Sequence, residues 1–117
     1  MELVAFLGND AEAWGQVTGL INRGDWEKII LVKSNSSQEY ISQKKVEIVN
    51  VDSSRPLIDL KKEIMEKLKG KLSGFVASLS IASGSGKEHM ALISALLSLP
   101  VGIRFVVFTK NGIEFIN

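Results

Sequence analysis

Five short apolar runs, separated by segments with helical periodicity, constrain this chain more than any other feature. They are Leu3–Leu7, Lys28–Lys33, Val46–Val51, Phe75–Ile81 and Ile103–Phe108. A short run without polar alternation is the pattern of a strand covered on both faces, which requires helices above and below the sheet. The intervening segments supply them. After Gly8-Asn9-Asp10, with Asp10 placed to cap, Trp14, Val17, Leu20 and Ile21 share one helical face that closes at Arg23-Gly24. After the turn Asp52–Pro56, whose proline suits the first helical position, Leu57, Leu60, Ile64 and Leu68 form a second stripe. Ala91–Leu99 is the third helical run. Ser34–Lys45 is polar and reads as a loop with a short helix around Gln38–Ser42. Asn111-Gly112 points to a type I′ turn, so Ile113–Ile116 should fold back on the fifth strand as an antiparallel edge.

Alternating strands and helices with short connections predict one α/β domain over residues 1–117, a Rossmann-like three-layer parallel sheet ending in an antiparallel β-hairpin. At 117 residues and 45% hydrophobic, the chain can bury a full core. On the second helix, Lys62/Glu66 and Glu63/Lys67 have the spacing of ion pairs, so lysines 61, 62, 67, 69 and 71 read as a solvated face with no ligand.

Charge and composition exclude several functions. With 14 Lys+Arg against 13 Asp+Glu, no broad basic surface exists to hold duplex DNA. The absence of cysteine removes disulfides, thiolate metal sites and thiol nucleophiles, and fits a reducing cytosol. A single histidine argues against a metal site, and no cofactor is expected. Met1–Leu7 is too short for a signal segment and no apolar run approaches ~18 residues, so a cytoplasmic protein that does not enter the membrane is expected.

Polar chemistry concentrates in Ser83-Gly84-Ser85-Gly86-Lys87-Glu88-His89-Met90. A glycine-bearing strand-to-helix turn with a lysine presents backbone N–H groups at a helix N-terminus, where an anion can sit. In doubly wound sheets ligands bind outside the carboxyl ends of the strands where strand order reverses. With the order 3-2-1-4-5, the turn at Gly8-Asn9-Asp10 faces the turn at Ala82–Lys87 across that point. The ligand-binding candidates are therefore Gly8, Asn9, Ser83, Gly84, Ser85, Gly86 and Lys87. Asn9 suits a ligand better than Asp10, whose charge repels phosphate. Trp14 could stack on a base, although packing in the core is its simpler role.

Standard motifs fail here. A Walker A loop needs glycine where Ile81 stands and Ser or Thr where Glu88 stands. Only Gly8 matches the dinucleotide fingerprint. Gly84-Ser85-Gly86 is too tight for a nucleophile elbow, and no later histidine completes a triad.

The stretch from Phe75 to Phe108 resembles the fourth-strand region of CARF domains, the CRISPR-associated Rossmann-fold sensors. Their turn reads roughly Gly-Gly-Thr-Lys-x-Met. Gly84, Ser85 or Gly86, Lys87 and Met90 match it, with one residue more between lysine and methionine. The order of elements agrees along nearly the whole chain, although the segment between the second and third strands is shorter than a helical crossover. What the resemblance implies is a homodimer binding a cyclic oligoadenylate across its two-fold axis, as a sensor or sequestering module. The helix Ala91–Leu99, with Leu92, Ile93, Leu96 and Leu97 pointing several ways, would offer one face to the sheet and another to the partner.

Some CARF proteins cut this ligand, so a metal-independent ring nuclease is the alternative. Lys87 would stabilise developing charge, Ser85 or Ser83 position the phosphate, and His89 serve as acid or base. A plain α/β domain without a nucleotide ligand is the third reading. No arginine precedes a histidine at the spacing of the HEPN ribonuclease motif and no basic helix-turn-helix follows the hairpin, so no attached effector domain is expected.

Overall fold

The computed structural model describes residues 1–35 and 38–117. Strands β1 (Glu2–Leu7), β2 (Lys28–Ser34), β3 (Glu47–Val51), β4 (Val76–Ser80), β5 (Gly102–Thr109) and β6 (Gly112–Phe115) form one sheet. Its order is β3-β2-β1-β4-β5-β6, parallel except for the β5–β6 hairpin. The α/β three-layer architecture read from the sequence is present, and the strand order meets the condition on which the facing turns depended, with β1 beside β4. Helix α1 (Trp14–Arg23), entered through a 3-10 turn at Ala11–Ala13, covers one face, while α2 (Leu57–Leu68) and α3 (Gly86–Ser98) cover the other.

Side-chain alternation divides the core. Val4, Phe6, Ile30, Val32, Ala77 and Leu79 face α2 and α3, and Leu3, Ala5, Leu7, Ile29 and Leu31 face α1. Because helices cover both sides, every residue of β1 is buried, which explains its unbroken apolar run. On α2, Leu60, Ile64 and Leu68 are fully buried and Leu57 partly so.

Several local expectations are corrected. Gln38–Ser42 is not helical: Tyr40 is buried, shares a 2.8 Å hydrogen bond with Thr18 and packs edge-on against Trp14, which holds the segment irregular. Residues 36 and 37 of the Ser34–Lys45 segment lie outside the described residues. Pro56 stands one residue before α2, not within it. Helix α3 begins at Gly86, one turn before the apolar run starting at Ala91. The hairpin turn is not type I′, which needs positive φ at both central residues. Thr109 pairs with Gly112, so Lys110 and Asn111 are central, and only Gly112 is left-handed, at φ 101°. Glu63 and Lys67 pair at 2.9 Å, whereas Lys62 and Glu66 form no ion pair among the described residues. Lys67 also donates to Asn50 O at 2.6 Å and Lys71 pairs with Glu47, so these lysines tie α2 and the turn after it to the β3 edge.

Glu2 gives the fold a pH dependence. Burial raises its pKa, but bonds from the Ser73 hydroxyl, the Gly74 and Ser73 amides, and the nearby Lys28 charge outweigh this and hold it below the ordinary value. A carboxylate so depressed contributes stability that is complete above its unfolded pKa and lost as pH falls through the folded one. Glu2→Gln should therefore destabilise by about 1–3 kcal/mol near neutrality, on the scale of hydrogen bonds to a charged group. Thermal unfolding from about pH 6 to about pH 3 should show a flatter acid limb for the variant. Parallel curves for the two proteins would contradict this role.

Candidate functional site

The carboxyl ends of β1 and β4 lie side by side, since Val4 pairs with Leu79 and Ala5 with Ser80. Their turns meet directly above. A Cβ on Gly8 would fall 2.6 Å from the Gly84 Cα, so two backbones touch where only glycine fits. Gly84 itself has φ 107°, a conformation that side chains resist. The facing turns expected from strand order are thus in contact.

Hydrogen bonds lock this junction. The fully buried Ser83 hydroxyl donates to Asp10 Oδ1 at 2.7 Å and accepts from Gly8 N at 2.9 Å. Gly84 N also donates to Asp10 Oδ1, at 3.2 Å. Asp10 makes no cap bond to the following turn, contrary to expectation, because the β4 turn supplies donors to its side chain instead. Trp14 is buried and its indole donates to Gly8 O at 3.1 Å, so it packs the core and supports the turn from beneath.

At the start of α3, Ser85 is the N-cap of a reciprocal capping box. Its hydroxyl accepts from Glu88 N at 3.2 Å, and the Glu88 carboxylate accepts from Ser85 N at 2.8 Å. Two of the amides that the turn was expected to offer are therefore occupied, at Gly84 and Ser85. Those of Gly86 and Lys87 have no acceptor among the described residues and lie at the exposed tip. His89 is half-buried, with Nε2 held 2.7 Å from Ser83 O.

The β3–α2 loop forms the third wall. The Ser53 hydroxyl donates to Glu88 Oε2 at 2.5 Å, and Lys87 Nζ donates to Ser53 O at 2.8 Å. Asn9, Asp10, Ser53, Gly84, Ser85 and Glu88 line an open groove of about 400 Å3. The ligand-binding and catalytic candidates read from the sequence gather at this edge. Gly8 and Ser83 are enclosed beneath it, Asn9, Gly84 and Ser85 line it, and Gly86, Lys87 and His89 belong to the helix entering it.

Sequence reading missed Ser53 and the carboxylate wall. Ser53 lies 35 residues from Glu88 and signals nothing in isolation. Ser85-x-x-Glu88, in contrast, is the sequence signature of a capping box.

Chemically the groove is divided. Free helix amides and an ammonium at one rim suit a phosphate, while the Asp10 and Glu88 carboxylates can accept from hydroxyl or amino groups. Both carboxylates already receive protein donors, which tempers their repulsion of an anion. Among the described residues, no group of three His, Asp or Glu side chains gathers as a metal-binding set, and no helix is long and apolar enough to cross a membrane. No protein-family model and no curated protein matches this chain.

Proposed function

We propose that this protein binds a cyclic oligoadenylate at the junction of the β1 and β4 turns, in a cytoplasmic homodimer, as the resemblance to CARF sensors implies. The observation that carries the reading is the contact of those turns at the sheet's switch point, which places two unpaired α3 amides and Lys87 beside a polar groove. A phosphate at Gly86 and Lys87 would meet two N–H donors and, once Lys87 turns from Ser53 O, an ammonium. Ribose hydroxyls or the adenine amine would find acceptors in Asp10 and Glu88.

Binding is favoured over cutting. His89 Nε2 is committed to the Ser83 carbonyl, and the Ser83 hydroxyl to Asp10 and Gly8. His89, offered as acid or base, and Ser83, offered to position the phosphate, thus hold the loop together.

A ring with internal symmetry suits two copies of one site. The outer face of α3 supplies a seam: Met90 and Leu97 are exposed and Ile93 partly so, while Leu92 and Leu96 are fully buried in the core. Leu97→Glu should therefore dissociate the dimer yet leave a folded monomer, and Leu96→Glu should unfold the chain. Light scattering with circular dichroism checks both. A folded dimer with Leu97→Glu would move the seam elsewhere.

The functional reading is tested by mixing the protein with cyclic tetra-adenylate or cyclic hexa-adenylate and analysing complex and products by mass. One intact ring on two chains, at twice the 12.8 kDa protomer mass, is the expected result. Linear products would transfer the site to the ring nuclease reading. Retention of neither ring would leave an α/β domain with no nucleotide ligand.

A further inference from the structure

At the opposite edge of the sheet, where β2 and β3 begin, a second groove of about 530 Å3 is lined by Trp26, Lys28, Lys44, Lys45, Val46 and Glu47 among others. It is more enclosed than the switch-point groove and shares no residue with it. Its volume lies within the range of small-molecule sites.

The indole of Trp26 is fixed. Nε1 donates to Leu20 O at 2.7 Å, and a Cβ on Gly24 would stand 2.2 Å from that nitrogen, so the glycine makes room for the ring. Half-buried, the ring forms a rigid wall with apolar area left uncovered.

Two of the cations are held by backbone carbonyls. Lys44 Nζ donates to Gly24 O at 3.0 Å, and Lys28 Nζ donates to Lys71 O. Both acceptors are uncharged carbonyls, and an ammonium has three donors. Of the carboxylates nearby, Glu27 pairs with the N-terminal ammonium at 2.6 Å and Glu47 pairs with Lys71, while the Lys28 charge acts on Glu47 and Glu2 without a direct ion pair. With exposed Lys45 added, the groove holds a rigid aromatic wall beside three lysines that form no direct ion pair among the described residues.

We propose that this groove is a second ligand site that takes a purine nucleoside monophosphate, with the base stacked on Trp26 and the phosphate held by Lys28, Lys44 and Lys45. A neutral aromatic molecule would leave the ammonium groups unused. Inorganic phosphate would leave the indole unused. A nucleotide uses both, since every base offers a π-face and its phosphate accepts charge-assisted bonds. The site does not depend on the cyclic oligoadenylate reading.

AMP is the probe, and the two indole N–H resonances of Trp14 and Trp26 are the readout, assigned with Trp26→Phe. The Trp26 resonance should shift and saturate with AMP, while adenosine and inorganic phosphate should each bind about tenfold more weakly or less. Lys44→Gln with Lys45→Gln, both at exposed positions, should weaken AMP about tenfold or more and leave the fold intact. Lys87→Ala should leave the Trp26 shift unchanged. No saturable shift at Trp26, equal binding of adenosine, or loss of the Trp26 shift with Lys87→Ala would overturn the proposal.

Discussion

Gly8→Val should cost this protein about 3 kcal/mol or more, the upper range for overpacking, and lower Tm by roughly 10 °C or more. The reason is local. A Cβ at position 8 meets the Gly84 Cα at 2.6 Å and the Gly84 nitrogen at 3.0 Å, and backbone cannot swing aside as a side chain can. Relief requires the β1 and β4 turns to part, which also breaks the bonds joining Ser83 to Gly8 and Asp10. Gly86→Ala is the contrasting control. Nothing lies within 4 Å of a Cβ there and the position is helical, so alanine should be neutral or stabilise by up to about 1 kcal/mol. Chemical denaturation of both variants checks the pair. A Gly8→Val protein as stable as the wild type would mean that the turns do not touch.

Much of this arrangement is legible in the sequence. Continuous apolar runs mark the parallel strands because burial on both faces erases alternation, and the glycine-bearing turns after β1 and β4 mark the edge where the groove forms. What is not legible depends on partners distant in the chain. Asp10 looks like a helix cap because the residues after it look helical, yet its oxygen is claimed by donors more than 70 residues away. Glu2 looks like a solvent-facing strand end until Ser73 and Gly74 surround it. Tyr40 sits in a polar segment that suggested a short helix, and only its contacts with Thr18 and Trp14 reveal an anchored loop. The early start of α3 was hidden by small residues at 83–86, which resemble a loop until Ser85 and Glu88 are read together as a cap.

Lys87→Ala carries the largest expected effect on binding. Lys87 is exposed and among the described residues donates only to the Ser53 carbonyl, so its removal should change stability by less than about 0.5 kcal/mol. A charge-assisted bond from it to phosphate is worth about 1.5–3 kcal/mol, so affinity for a cyclic oligoadenylate should fall roughly tenfold or more. Lys87→Arg keeps the charge and should lose less. Raising the salt concentration should weaken the wild type more than Lys87→Ala, because screening acts on the charge that the variant lacks.

The decisive measurement is a calorimetric titration of the wild type and Lys87→Ala with cyclic tetra-adenylate and cyclic hexa-adenylate, at two salt concentrations. The wild type should bind one of the two rings at one ring per two chains, and the variant should bind that ring about tenfold or more weakly with a shallower salt dependence. Equal affinity of the two proteins, or heat of binding from neither, would contradict a phosphate site at the start of α3.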